Sequence, residues 1–154
     1  MAESHVFDSS GLVAFSCVFP IAPQKDLKAI VSGVTSLKDV QLLVEPSTVI
    51  MGGTAALICH RDMQGAPLYS VKWYRGNHEF FRYTPLEDPE TRVFGLPGIY
   101  VDMNRSNGTQ VLLRRLELGL AGNFSCEVTA DSPSFATQIA TKFIDVIGED
   151  CSNL

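Results

Sequence analysis

The residues of this chain best suited to do chemistry are four cysteines. They are Cys17, Cys59, Cys126 and Cys151. No two of them form a CxxC pair, which argues against a zinc knuckle or a thioredoxin-type redox site. Cys59 and Cys126 each stand in the middle of a strand-like run and share a face with large apolar side chains. This arrangement predicts a structural disulfide, which forms in an oxidising compartment.

Catalytic motifs are absent from the sequence. The three histidines form no i,i+4 pair, and there is no HExxH, GxSxG, P-loop or GxGxxG motif. An acidic cluster in the run LEDPET is interpreted as a solvated loop, with a calcium site as the alternative. Its members are Glu87, Asp88 and Glu90. We therefore predict that the protein is not an enzyme, holds no cofactor or metal, and has no small-molecule substrate.

Composition narrows the class of partner. The 154 residues include 12 Lys and Arg against 17 Asp and Glu, for a net charge of −5. This balance argues against binding to nucleic acid and against a polybasic membrane-surface mode. With 45% hydrophobic and 19% charged residues, the chain can bury a core. No apolar stretch is long enough for a transmembrane segment.

The elements that must position the cysteines are predicted to be strands. Runs rich in Val, Leu, Ile, Phe and Tyr are separated by turn residues at the spacing of a sandwich or barrel. Pro46 predicts a switch or bulge after the first strand, and the segment 85–97, with three prolines, is expected to be an irregular edge. The predicted strands are Val40–Val44, Ala55–His60, Tyr69–Arg75, His78–Tyr83, Ile99–Met103, Gln110–Leu116, Gly122–Ala130 and Phe135–Ile147.

A cysteine and tryptophan pattern identifies the fold class. Trp73 lies on the strand after Cys59, and a buried Trp against an inter-sheet disulfide is the core of an immunoglobulin sandwich. We predict an all-β, immunoglobulin-like β-sandwich of the variable type, with roughly nine strands and one inter-sheet disulfide, Cys59–Cys126. The alternative is a pair of free thiols in another all-β fold. The predicted core residues are Leu57, Trp73, Val111, Leu113, Leu116 and Phe124.

Two positions depart from the usual variable-type pattern. Phe124 stands where such domains place a corner tyrosine, and Leu120 replaces an acidic residue. Phe124 has no hydroxyl, so we expect a loss on the order of 1 kcal/mol for the missing hydrogen bond. The fold itself should not change.

The domain is predicted to span residues 38–148, between a flexible extension (1–37) and a tail (149–154). The extension holds an apolar run, Leu12–Ala22, without a basic n-region. A degenerate signal peptide, a loosely ordered extension and a wrong first exon are the three interpretations. Cys151 has no intradomain partner by spacing.

Three N-x-S/T sequons agree with an extracellular glycoprotein, secreted or associated with the cell surface. They begin at Asn104, Asn107 and Asn123. Asn107 is the favoured glycan site because it lies on an Asn-Gly turn. Asn123 enters a strand with its side chain predicted to face outward.

By analogy with other variable-type domains, partners are expected on the sheet that contains the predicted strands Tyr69–Arg75, His78–Tyr83, Gly122–Ala130 and Phe135–Ile147. Tyr74 should point outward because Trp73 points inward, and three aromatics occur in the run FFRY. The alternative is that Phe80 and Phe81 cover the lower core and Tyr83 caps the edge. The predicted partner-binding residues are Lys72, Tyr74, Phe80, Phe81, Arg82, Tyr83, Glu127 and Thr129.

Two long runs carry a family resemblance. PLYSVKWYRGNHEFFRYTPLEDPETRVFGLPGIYVD and NFSCEVTADSPSFAT resemble the first immunoglobulin domain of the beaten path family of arthropod neuronal proteins, over residues 38–147. The resemblance implies binding to sidestep-type cell-surface immunoglobulin proteins in axon guidance and synaptic partner choice. Family members usually continue into a second immunoglobulin domain. The rival interpretations are a structural intracellular immunoglobulin domain and a soluble immune-type binding protein.

Overall fold

The computed structural model describes residues 37–148. In that part of the chain there are eleven β-strands and two 3-10 turns, Met103–Arg105 and Leu118–Leu120. Apolar and polar residues alternate along the longer strands, so that one side of each strand is buried. The strands are β1 Lys38–Glu45, β2 Val49–Ile50, β3 Ala55–Asp62, β4 Leu68–Arg75, β5 His78–Tyr83, β6 Thr91–Val93, β7 Tyr100–Val101, β8 Gln110–Arg114, β9 Gly122–Ala130, β10 Thr137–Ile144 and β11 Val146–Ile147.

Two antiparallel sheets make the sandwich. One has four strands in the order β1-β3-β8-β7, and the other has five in the order β10-β9-β4-β5-β6. After Pro46 the chain leaves the first sheet, and β2 pairs in parallel with β11. The two strands that follow β4 extend the second sheet, as in variable-type immunoglobulin domains. The predicted fold class is confirmed.

The core lies between the sheets and is tied by one disulfide. Cys59 on β3 and Cys126 on β9 are joined by an S–S bond of 2.06 Å. Trp73 is fully buried, and its ring meets Phe81 edge-on at 5.5 Å between centroids. The other predicted core residues are all buried: Leu57, Val111, Leu113, Leu116 and Phe124.

Two strands, β10 and β11, take the place of the single strand predicted over Phe135–Ile147. Phe135 lies in the preceding turn with a φ of 51°, and β10 begins at Thr137. At Asp145 the side chain accepts a hydrogen bond from the Val146 backbone N–H at 3.0 Å. This local bond interrupts the ladder, and the chain resumes as β11 beside β2.

Leu37 packs with the domain. Leu37, assigned to the flexible extension, is fully buried, and its carbonyl accepts a hydrogen bond from Gln138 Nε2 at 2.8 Å. It therefore belongs to the folded domain. The predicted signal peptide, Cys17 and Cys151 lie outside the described residues.

An arginine supplies hydrogen bonds at the corner where the tyrosine is missing. Arg75 Nε donates to the carbonyl of Leu120 at 3.0 Å, and Nη2 donates to that of Ala121 at 2.7 Å. The guanidinium also lies 5.7 Å from the centre of the Phe124 ring. Gly122 makes this approach possible, since a Cβ there would lie 2.8 Å from Arg75 Cζ.

Candidate binding face on the five-stranded sheet

The outward side of the five-stranded sheet carries a row of residues, one from each strand. Cross-strand register places Ile139 beside Glu127, Glu127 beside Lys72, Lys72 beside Arg82, and Arg82 beside Arg92. Neighbours in such a row have Cβ atoms roughly 5 Å apart. The row therefore runs from an apolar end on β10 to a cationic end on β6.

Tyr74 and Glu127 form the central contact of this face. The Tyr74 hydroxyl donates a hydrogen bond to Glu127 Oε1 at 2.8 Å, across the β4–β9 pair. Partial burial, followed by the hydrogen bond and negative charge of Glu127, raises the pKa of Tyr74. The phenol therefore stays protonated at neutral pH, and the ring is held over the sheet with part of its surface exposed.

Arg82 is anchored beside them. Its guanidinium forms a two-pronged ion pair with Glu79, at 2.7 Å and 3.0 Å, and this pairing raises the pKa of Arg82. The same group lies 5.2 Å from the centre of the Phe94 ring. A guanidinium fixed by both a carboxylate and an aromatic face has little rotational freedom left to lose on binding.

The predicted outward placement of Phe80 and Phe81 is wrong, because both rings are fully buried. The β4–β5 register shifts between Trp73 and Tyr74, so that Phe80 is an extra residue on β5. A bulge of this kind interrupts the alternation of side chains, and two consecutive residues then face the core. Phe80 meets Phe124 edge-on at 6.1 Å between centroids.

Tyr83 also differs from its predicted role. It is partly buried against the core, and its ring lies so close to Gly108 that a Cβ there would be 2.5 Å from Tyr83 Cδ2. The Gly108 carbonyl accepts a hydrogen bond from Arg61 Nη1 at 2.8 Å. Tyr83 thus packs at the end of the sandwich near Gly108, in agreement with the alternative interpretation that it caps the edge.

Two exposed apolar residues on β10 were missed by the sequence analysis. Ile139 and Phe143 are 47% and 52% exposed and face outward beside Glu127 and Asn123. Between and beside them, hydroxyl pairs link the two strands: Thr129 with Thr137 at 3.0 Å and Ser125 with Thr141 at 2.9 Å. No signal in the sequence alone identifies them, because the face that each β10 residue occupies is fixed by its register with β9.

We call the central part of this face the outer patch. Among the described residues, its Lys72 ammonium takes part in no ion pair, so it is free to meet a carboxylate. The patch combines an aromatic centre, an apolar side and fixed charges of both signs, the residue types enriched at the centre of protein interfaces. Its members are Lys72, Tyr74, Glu79, Arg82, Phe94, Glu127 and Ile139.

The three sequon asparagines are exposed and lie at two ends of the domain. Asn104 is in the first 3-10 turn, and Asn107 Oδ1 accepts backbone hydrogen bonds from Thr109 and Gln110 at 2.7 Å and 3.0 Å. Asn123 faces outward on β9, beside Phe143.

Residues 37–148 contain no group of three or more His, Cys, Asp or Glu side chains placed to hold a metal ion. Within the same residues, no helix has the length and apolarity needed to cross a membrane.

Comparison with solved structures places the chain among variable-type immunoglobulin domains. Murine CEACAM1b matches with a TM-score of 0.55 and 20% identity, over 71% of this chain and 54% of that one. The complex of a mouse coronavirus receptor-binding domain with its murine receptor matches with a TM-score of 0.51, 21% identity and the same coverage. The V domain of amphioxus IgVJ-C2 matches with a TM-score of 0.50 and 12% identity, over 66% and 97%.

The chain spans about half the length of the first two of these structures. At such identities the likeness establishes the fold alone. No protein-family model matches the chain, and no curated protein matches it in sequence. The class that fold and disulfide define is a variable-type immunoglobulin domain.

Proposed function

We propose that this protein is an extracellular recognition domain that binds an immunoglobulin domain of another cell-surface protein through the outer patch. The observation that carries the proposal is the Tyr74 ring, fixed by Glu127 in the middle of a five-stranded face. Ordered, partly exposed tyrosines with apolar and charged neighbours are typical of interface centres. The disulfide supports an oxidising, extracellular location.

The chemistry of the patch specifies its partner. On the β10 side, Ile139 offers an apolar contact, whereas Lys72 on β4 and, just beyond the patch, Arg92 on β6 carry positive charge. A complementary surface carries carboxylates opposite these cations and an apolar side chain opposite Ile139. The resemblance to the beaten path family supports the finer proposal that this partner is a sidestep-type immunoglobulin protein acting in axon guidance and synaptic partner choice.

The test is a binding screen with matched variants. The chain is secreted behind a competent signal peptide, multimerised, and screened against sidestep-type cell-surface immunoglobulin proteins. We expect selective binding to one or a few of them, and Tyr74→Ala or Arg82→Glu to weaken it by at least roughly 30-fold in Kd, the cost of losing a hot-spot residue.

Controls come from the other sheet. Tyr100 on β7 and Arg114 on β8 are exposed and lie side by side on the four-stranded sheet. Tyr100→Ala and Arg114→Glu should leave Kd unchanged. If a folded, disulfide-bonded sample binds none of these proteins, the sidestep proposal fails. If the control variants weaken binding as much as Tyr74→Ala, the face is assigned wrongly.

A further inference from the structure

The apolar side chain of Phe143 lies on the outward side of the five-stranded sheet, outside the outer patch. Its ring is 52% exposed near the end of β10, and its partner across the β9–β10 ladder is Asn123. Singly exposed apolar side chains are common on protein surfaces, so what matters here is the residue beside this ring. The residue directly beside this one is the acceptor of a complete sequon, Asn123-Phe124-Ser125.

We infer that Asn123 carries an N-linked glycan whose first sugar lies over the Phe143 ring. Asn123 is exposed. Side chains alternate along β9, and Phe124 and Cys126 point into the core, so Asn123 and Ser125 face outward. Among the described residues its carboxamide has no hydrogen-bond partner, so its nitrogen is available for the glycosidic bond. Directly opposed side chains on antiparallel strands are about 5 Å apart, which places an attached sugar beside the ring.

The reaction is the usual transfer of an oligosaccharide from a lipid pyrophosphate donor to the carboxamide nitrogen. The new bond joins the anomeric carbon to Asn123 Nδ2, the lipid pyrophosphate leaves, and the nitrogen loses one proton. The acceptor site needs only to be accessible in the secretory pathway, before or during folding. This inference therefore rests on the secretion that the proposed function includes, and not on partner binding.

The glycan site borders the outer patch, because Tyr74 lies opposite Ser125 and is therefore a diagonal neighbour of Asn123. Asn123 and Glu127 are four residues apart on β9, or about 13 Å at the rise of a β-strand. The backbone carbonyl of Asn123 accepts a hydrogen bond from the Gly76 N–H in the β4–β5 turn. The glycan thus lies at the turn end of the sheet and borders the patch, so that Phe143 is covered by sugar and Ile139 is left for a protein partner.

Site mapping tests the modification directly. The chain of 154 residues is secreted from insect cells behind a competent signal peptide. Its glycans are released in heavy-oxygen water with a peptide N-glycosidase that accepts core-fucosylated glycans, which converts each occupied asparagine to a labelled aspartate. We expect the label at Asn123 in peptide mass maps. A secreted, disulfide-bonded chain in which Asn123 remains asparagine would overturn the inference.

A double-mutant comparison tests the cover over the ring. Phe143→Ser should change retention on a hydrophobic-interaction column only slightly in the glycosylated protein, and should shorten it strongly in the Asn123→Gln background. Equal effects in both backgrounds would show that the sugar does not cover the ring.

A chain that carries the glycan but binds no partner would refute the proposed function alone. A chain that binds a partner without the glycan would refute this inference alone.

Discussion

The Tyr74 hydroxyl and the Glu127 carboxylate are joined by a 2.8 Å hydrogen bond across the β4–β9 pair. Trp73, one residue before Tyr74, is fully buried and lies opposite the disulfide-bonded Cys126 in the β4–β9 register. The orientation of the outward ring is therefore fixed from below by the core and from the side by Glu127. A binding face built in this way is preorganised, which lowers the entropy lost when a partner docks.

The raised pKa of Tyr74 predicts a specific alkaline loss of stability. In the unfolded chain tyrosine deprotonates near about pH 10, whereas in the folded state the pKa lies higher because of burial and the bond to Glu127. Above about pH 10 the folded state therefore binds more protons than the unfolded state, so the free energy of unfolding falls as pH rises. Below pH 10 the contribution is fully present.

Tyr74→Phe is the matched variant for this measurement. Urea unfolding of both proteins across neutral and alkaline pH should show a steeper alkaline decline in the wild type, and the two curves should be parallel below about pH 9. Parallel curves over the whole range would mean that folding does not raise the pKa of Tyr74.

Arg75 is predicted to stabilise the corner that lacks a tyrosine hydroxyl. Arg75→Met removes the donors to the Leu120 and Ala121 carbonyls and should lower the free energy of unfolding by roughly 2 kcal/mol, the cost of charge-assisted hydrogen bonds to backbone. The control is Arg114→Met, an exposed arginine whose nearest carboxylate is 3.9 Å away and whose loss should cost less than about 0.5 kcal/mol. Equal effects in urea unfolding would contradict this role of Arg75.

The disulfide core was predictable from the sequence because its signals are local and periodic. Cysteines in the middle of alternating runs, with a tryptophan on the intervening strand, leave few other arrangements. The same alternation assigned Tyr74 and Lys72 to the outside of β4. Arg75 was not foreseen at the corner, since a contact between β4 and the loop before β9 depends on the three-dimensional path of the chain.

Alternation failed where the backbone departs from a regular ladder. The extra residue Phe80 in β5 turns two neighbouring rings inward, and nothing in the run HEFFRY distinguishes a bulge from a regular strand. Ile139 and Phe143 were missed for another reason: β10 ends in two adjacent apolar residues, Phe143 and Ile144, so alternation does not fix its outward face and the register with β9 must be known. The bulge and the register are properties of strand pairs, which a single run does not encode.

Removal of the disulfide should be costly but not change the fold. The Cys59–Cys126 bond closes a loop of 67 residues, and its loss should lower the free energy of unfolding by roughly 4 kcal/mol in the chain-entropy account. Urea unfolding of the Cys59→Ala/Cys126→Ala double variant, compared with the oxidised wild type, measures this. A variant as stable as the wild type would show that packing around Trp73 alone holds the two sheets together.

The contact of Tyr83 with Gly108 predicts a coupled pair of substitutions. A Cβ at Gly108 would lie 2.5 Å from Tyr83 Cδ2, so Gly108→Ala should destabilise the domain by roughly 1–3 kcal/mol through overpacking. In a Tyr83→Ala background the same substitution should cost almost nothing, because the ring that it meets is gone. Gly95→Ala is the control, since no atom lies within 4 Å of a Cβ there.

The same variants separate stability from recognition at this position. Tyr83 closes the end of the sandwich and lies outside the outer patch, so Tyr83→Ala should lower the melting temperature but leave partner Kd unchanged when binding is measured well below that temperature. Tyr74→Ala should weaken partner Kd even when binding is measured well below the melting temperature of that variant. A loss of binding in fully folded Tyr83→Ala would return Tyr83 to the interface, and an equal cost of Gly108→Ala in both backgrounds would show that the ring does not pack against the glycine.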